Sequence, residues 1–319
     1  MPELPEVEIT ARRLDAALRG AEIESALAPG INALKTFDPP LSALAGRTVA
    51  GVRRRGKHLI VDVASNEDAN QRGGDHGGGD DDRTGGGGAG DRLALLIHLM
   101  SAGRLQLYDK RAGPRDRTSR LLVRVRLPPG GETAAPEAEL RLREFGSKQA
   151  AWVKLLRAED LERDEALATL GHEAWPDPGD PEALRELLAA PRPLHAMLRD
   201  QRTIAGIGRS WVDEILWEAR LSPYKRGADL TGAEAVRLRE AIVEVLSGAI
   251  DHYERTVALP IPDKLPMPLR VHRHEGSPCP RCGETLRSVH FEDYTIAYCP
   301  ACQTDGRVLK DRRLSRLLK

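Results

Sequence analysis

The sequence predicts an α+β chain of three parts: a helix feeding a two-layer β-sandwich, a helical domain, and a small C-terminal finger. Three observations predict it. Between residues 22 and 155 short alternating or apolar runs are separated by Gly and Pro, the pattern of a sandwich. From about Arg157 onward apolar residues recur at helical spacing. All four cysteines fall between 279 and 302, in two C-x-x-C pairs. The boundaries that follow are 1–156, 157–262 and 263–319.

A chain of 319 residues holds two or three domains with real cores. No stretch reaches the roughly 18 apolar residues of a membrane span, and no charged-then-apolar signal segment opens the chain. A soluble cytoplasmic protein is expected. The formal net charge is zero. Residues 64–92, however, carry seven acids against three arginines, and outside them 45 basic residues face 41 acidic ones. Any polyanion footprint must therefore come from local clustering.

Residues 5–19 place Val7, Ala11, Leu14 and Leu18 on one helical face, and Gly20 ends the run. Strands are expected at Glu22–Leu27, Thr48–Arg54, His58–Val63, Arg92–Leu99, Arg104–Tyr108, Arg120–Leu127, Glu139–Arg143 and Ala150–Leu155. Arg53-Arg54-Arg55-Gly56-Lys57-His58 forms a basic turn between two of them. Residues 64–92 hold ten of the thirty glycines and almost nothing apolar, which predicts a disordered insertion. Helices are expected at Leu161–Leu170, Pro181–Leu188, Leu194–Gln201, Ser210–Ala219 and Ala233–Tyr253, followed by a Pro-rich linker, Val257–Pro268. The tail from Arg307 to Lys319 is basic.

Three stretches carry chemistry. Removal of Met1 exposes Pro2 as a secondary amine next to the Glu3 carboxylate. A free α-amine has a pKa of about 7.7–8.0, so part of it is nucleophilic at neutral pH. Its attack on a sugar C1′ gives an iminium, the chemistry of Schiff bases. The same residues suit a helix start, with Pro5 in the first turn and Glu6 and Glu8 at the positive end of the dipole. Both readings hold together. In the second stretch, Gly206-Ile207-Gly208 before a helix is a turn that presents amides to a phosphate. In the third, Cys279, Cys282, Cys299 and Cys302 have zinc-ligand spacing. Four thiolates make a closed structural site, so one Zn²⁺ per chain is expected.

Met1-Pro2-Glu3-Leu4-Pro5-Glu6-Val7-Glu8, followed by Arg12-Arg13, resembles the formamidopyrimidine-DNA glycosylase (Fpg/MutM) branch of the Fpg/Nei family, and Leu4 fits that branch better than the MPEGPE of endonuclease VIII. The resemblance implies that Pro2 is the nucleophile, Glu3 its acid–base partner and Lys57, in a segment like the family's R-x-G-K, an aid to elimination. His98-Leu99-Met100-Ser101-Ala102-Gly103 is similar to H-L-G-M-S-G, which implies a phosphate contact for His98 and a gap-filling role for Met100, one place early. Arg143-Glu144-Phe145-Gly146 is similar to R-R-F-G, which implies that Arg143 reads the orphaned base and Phe145 wedges into the stack. Leu198–Pro223 resembles L-x-D-Q-x-x-x-A-G-x-G-N-x-Y-x-x-E, the family's helix–two-turn–helix, with Arg209 where the asparagine stands. The cysteine spacing matches the family's β-hairpin zinc finger, but Tyr294 replaces its phosphate-clamping arginine. A charge is thus lost from the finger and one gained in the turn. In the family a longer loop at the position of Val257–Pro268 covers flipped 8-oxoguanine, and the shortness here argues against that specificity.

The expected function is a bifunctional DNA glycosylase/AP lyase of base excision repair. It would act as a monomer on damaged double-stranded DNA, without a membrane, a catalytic metal or a redox cofactor. Two alternatives stand beside it: an endonuclease VIII-like enzyme for oxidised pyrimidines or abasic sites, and a non-enzymatic damaged-DNA binder on the same scaffold.

Overall fold

The computed structural model describes residues 1–30, 32–64, 92–113, 116–129, 136–145, 148–291 and 294–310. Residues 65–91 of the expected insertion 64–92, Gly146 and the tail beyond Lys310 lie outside the described residues. The chain divides into two compact units. The first comprises Met1–Pro2, Glu6–Ala168 and Thr256–Leu265; the second comprises Glu3–Pro5, Thr169–Arg255 and Pro266–Lys319.

In the first unit, which holds helix α1 (Leu4–Leu18) from Glu6 onward, Val7, Leu14 and Leu18 are completely buried. Pro5 lies in its first turn, where a missing N–H leaves no hydrogen bond unmade. Eight strands follow: β1 (Glu22–Leu27), β2 (Thr48–Arg55), β3 (His58–Ala64), β4 (Leu93–His98), β5 (Gly103–Tyr108), β6 (Ser119–Arg126), β7 (Glu137–Glu144) and β8 (Trp152–Arg157). They hydrogen-bond in the order β5-β7-β6-β1-β2-β3-β4-β8. β1 meets β2 at a single register pair, Glu22↔Thr48, whereas it pairs with β6 at five positions. The sheet is therefore two four-stranded leaves joined at one narrow seam, the continuous form of the expected sandwich. β3 and β4 carry apolar residues at almost every position and are buried nearly end to end, as strands covered on both faces must be. Asp15 ties α1 to the sheet by accepting the Val52 amide at 2.7 Å.

One expected helix is broken. Leu161–Leu170 becomes a 3₁₀ turn, Ala158–Arg163, and a short helix, Glu165–Ala168. The break is Asp164, whose backbone is extended. Its carboxylate is engaged by Lys154 Nζ at 2.8 Å and by the Ala166 amide at 3.0 Å, so it caps the second piece and does not continue the first.

The second unit contains helices α2 (Pro181–Leu187), α3 (Leu194–Arg199), α4 (Arg209–Glu218) and α5 (Gly232–Thr256), then a hairpin of β9 (Arg287–Phe291) and β10 (Tyr294–Tyr298). Asp180 caps α2 by accepting the Glu182 and Ala183 amides, with Pro181 behind it. Thr231 and Glu234 form a reciprocal capping box at the start of α5: the Thr231 amide donates to Glu234, and the Glu234 amide to Thr231. Among the described residues no helix is long and apolar enough to cross a membrane.

Candidate active site and nucleic-acid interface

In the second unit the structure organises the glycine turn around Glu3. The Glu3 side chain is buried, and its carboxylate accepts the amide of Ser210 at 2.9 Å and that of Trp211 at 3.3 Å. A carboxylate over the first turn of α4 gains both hydrogen bonds and dipole energy, typically 0.3–1 and up to about 2 kcal/mol when partly buried. The amides that the sequence offered to a phosphate are therefore, at these two positions, already taken by the protein's own anion. The turn is shaped for this. Gly206 has φ +105° and donates its amide to Gln201 at 2.9 Å, while Gln201 also donates to the Ile207 carbonyl at 2.7 Å. The Leu4 amide donates to the Gly206 carbonyl at 3.0 Å. A Cβ on Gly206 would come 2.4 Å from Leu4, and one on Gly208 would come 2.2 Å from Glu3.

The rest of α4 is braced equally tightly. Asp213 is buried and accepts from His195 Nε2 at 3.2 Å, His272 Nδ1 at 2.7 Å and the Ala297 amide at 3.0 Å. Burial opposes its ionisation, but the two histidines overcome that and hold its pKa below the usual carboxylate value. Glu214 accepts the amides of Arg270, Val271 and His272, although burial still pushes its pKa up. Adjacent acids in one helix thus fasten the segment before the finger and the finger strand itself.

In the first unit the basic turn is not a solvated hairpin. Gly56, at φ +57°, takes the first of two turn residues between Arg55 and His58, and Lys57 and His58 are both buried. Arg54 pairs with Glu8 at 2.8 Å and Arg53 with Asp62 at 2.7 Å, so both are held by acids of the same unit. Strand register then aligns His58, His98 and Trp152 across β3, β4 and β8. Their rings touch: His58 and His98 lie 4.6 Å apart, and His98 stacks on Trp152 at 5.6 Å. Burial, with His58 and Lys57 beside it, lowers the His98 pKa to about 3. The Met100 amide donates to His98 Nδ1 at 3.0 Å, which leaves the proton on Nε2. His98 is a neutral donor here, not a cation. Met100 itself has φ +50°, in the left-handed region that suits glycine. It occupies the place of the glycine in H-L-G-M-S-G, and Ser101 follows where the family has its methionine.

Arg143 and Phe145 come together in the same unit. The Arg143 guanidinium lies 4.5 Å from the Phe145 ring centroid and donates to Thr118 Oγ1 at 3.1 Å and Tyr108 Oη at 3.2 Å. Phe145 is exposed, which is unusual for so large an apolar side chain. Glu144, the acidic departure between them, points inward: it is buried and accepts the amides of Ala150 and Ala151, each at 2.9 Å. It therefore adds no negative charge to the surface that Arg143 and Phe145 present.

The four cysteines form a metal-competent cluster. Their Sγ atoms all lie within 4.8 Å of one another, with 3.5 Å between Cys282 and Cys299, 3.5 Å between Cys282 and Cys302, and 4.0 Å between Cys279 and Cys302. Tetrahedral bonds of about 2.3 Å to a central ion require sulfurs about 3.8 Å apart, so the donor set fits. Trp217, on α4, donates its indole N–H to Cys279 Sγ at 3.3 Å. Burial resists thiolate formation at Cys279, but backbone amides and this indole hold its pKa down to about 6.

Pro2 is half-exposed and immediately precedes Glu3 in the chain. Sequence reasoning missed Trp152, Tyr108, Asp213, His195 and Trp217. No local pattern marks any of them: each matters through strand register or helix packing with residues distant in sequence.

Comparison with known proteins is consistent with this geometry. Residues 1–146 match the family described as the formamidopyrimidine-DNA glycosylase N-terminal domain, and residues 170–260 match the formamidopyrimidine-DNA glycosylase H2TH domain. A formamidopyrimidine-DNA glycosylase of Rhodopseudomonas palustris is 30% identical, over 95% of this chain and 100% of its own. An uncharacterized formamidopyrimidine-DNA glycosylase-like protein of Mycobacterium tuberculosis is 44% identical over 126 residues, 40% of this chain and 80% of its own. The solved Lactococcus lactis Fpg (MutM), in complex with DNA containing N7-benzyl-Fapy-dG, superposes with a TM-score of 0.72 at 25% identity, covering 95% of this chain and 100% of that one. The chain belongs to the formamidopyrimidine-DNA glycosylase family.

Proposed function

We propose that the chain is a bifunctional DNA glycosylase/AP lyase that uses Pro2 as nucleophile. The observation that carries the reading is the Glu3 carboxylate, fixed by the Ser210 and Trp211 amides one residue after the amine. In the proposed reaction the Pro2 nitrogen bonds to C1′ as the bond from C1′ to the base breaks, and the base leaves with a proton. Opening of the sugar ring, with Glu3 taking up a proton from solvent and passing it to the ring oxygen, gives the iminium. Loss of a C2′ proton then expels the 3′-phosphate, and a second elimination expels the 5′-phosphate, with Lys57 assisting. His98 supplies a neutral hydrogen bond to the backbone. Arg143 reads the orphaned base and Phe145 wedges into the stack, work that repays an unstacking cost of a few kcal/mol.

Oxidised pyrimidines and abasic sites are favoured over 8-oxoguanine by the segment after α5. Gln106 and Arg104 donate to the carbonyls of Ile261 and Asp263, and Arg13 donates to that of Val257 at 2.7 Å. A segment fastened at three carbonyls is a poor cover for a flipped purine. A panel of duplexes with 8-oxoguanine, thymine glycol, 5-hydroxyuracil or an abasic site, treated with borohydride, tests both statements. Covalent trapping is expected on the last three. Cleavage of 8-oxoguanine alone would reverse the substrate order, and binding without cleavage of any duplex would leave only a damage-binding protein.

The ion held by the cysteines is proposed to be one zinc per chain, in a structural role. Elemental analysis of freshly purified protein is expected to give one equivalent. Cys299→Ala is expected to lose the metal and at least tenfold in DNA affinity, because folding of the finger and metal binding are one process. Freshly purified protein without zinc refutes the assignment.

A further inference from the structure

Arg199, at the end of α3, has its Cζ 3.8 Å from the centroid of the Tyr294 ring. Arg209, in the first turn of α4, has its Cζ 5.2 Å from the same centroid. Two cations from different helices are thus gathered on one aromatic residue of the finger hairpin. Tyr294 is held in turn: His195 stacks on it at 5.5 Å with the rings 11° from parallel, and His195 is fixed by the buried Asp213. Cation–π attraction offsets part of the repulsion between the two guanidinium groups but does not remove it. One further observation points to a ligand. The Nη1 of Arg199 is buried and has no hydrogen-bond partner among the described residues. A buried donor left unmet costs free energy that an acceptor would recover. An anion reaching both groups would meet the donor and relieve the repulsion together.

We propose that Arg199 and Arg209, ordered by the Tyr294 ring, bind one backbone phosphodiester of the DNA. Guanidinium forks match phosphate geometry and bind it by charge-assisted hydrogen bonds. The phosphodiester as ligand rests on the glycosylase reading above. The two guanidinium groups offer it donors that the Ser210 and Trp211 amides of α4 do not, since those belong to Glu3. Arg199 was invisible in the sequence, lying between the recognisable leucine and Asp-Gln of the helix–turn motif. Tyr294 serves as a platform: it replaces a charge in the finger by fixing two that come from the helices.

The test is binding of the full-length, zinc-loaded protein to a duplex with an uncleavable tetrahydrofuran abasic analogue, by anisotropy at 50–200 mM KCl. For Arg199→Gln combined with Arg209→Gln, the slope of log K against log salt is expected to flatten by about 0.9, one phosphate. Each single variant should flatten it by less. Tyr294→Phe should bind as wild type, whereas Tyr294→Ala should keep the slope, both cations remaining, yet lose about fivefold in affinity. An unchanged slope in the double variant overturns the clamp. Flattening by about 1.8 overturns the single shared phosphate, and weak binding by Tyr294→Phe overturns the platform. Wild-type protein that binds no duplex overturns clamp and glycosylase together. Wild-type protein that binds but cuts none of the lesion panel overturns the glycosylase alone, and the slope still decides the clamp.

Discussion

With one residue left ahead of Pro2, borohydride is expected to trap no protein on an abasic duplex, while the same preparation still binds that duplex within about threefold of wild type. The expected loss of covalent product is at least about 100-fold, because nucleophilic attack and not binding is removed. The nitrogen of an internal proline is a tertiary amide with no lone pair available for C1′, whereas the exposed secondary amine has one near neutral pH. DNA contacts should survive, since Arg143, Phe145 and the finger do not depend on the first atom of the chain. Denaturing gels of the trapped species, with mass spectrometry of the N-terminus to verify the block, make the measurement. Lys57 provides an internal rival, being a second amine buried in the same unit. Full trapping by blocked protein would move the Schiff base to a lysine and sink the Pro2 assignment.

The strands were legible because each is a short apolar run ended by Gly, Pro or charge, and all eight lie within a few residues of their expected places. The cysteine cluster was legible because two C-x-x-C pairs fix ligand spacing by covalent geometry alone. What was not legible depends on pairing between distant segments. His58 and His98 are forty residues apart in sequence, yet strand register places them opposite each other and beside Trp152, and burial there, with His58 and Lys57 adding to it, keeps His98 neutral. Glu144 stands where R-R-F-G has its second arginine, and alternation does not say which way a strand-end side chain turns; it turns inward, onto two amides. Met100 shows the opposite limit. Its position looked one residue early, and the backbone supplies the reason: the residue holds a left-handed turn that glycine would hold without strain.

Gly208→Ala is expected to be among the most damaging single-methyl changes in the chain. The added Cβ would lie 2.2 Å from Glu3 Cδ, 2.5 Å from Oε1 and 2.6 Å from Cγ, all well inside contact distance. Backbone strain is not the cause, because Gly208 sits at φ −130° and ψ −156°, an extended conformation that alanine accepts. The three nearest atoms all belong to the Glu3 side chain, so Glu3 must leave the Ser210 and Trp211 amides. Losing that cap costs about 1–2 kcal/mol of stability. Displacing a positioned acid–base group costs about 100-fold or more in rate. The expected profile is therefore a modest fall in Tm, DNA affinity within about threefold of wild type, and trapping slowed at least about 100-fold. Gly232→Ala is the control: nothing lies within 4 Å of its Cβ, and alanine is the better helix former, so neither Tm nor trapping should fall. Glu3→Gln separates charge from place, since an amide keeps an acceptor for α4 but cannot shuttle the proton. It should trap as poorly as Gly208→Ala while losing less stability. Trapping at the wild-type rate by folded Gly208→Ala would mean that the site works with Glu3 out of its cradle, and the acid–base role would have to pass to another group.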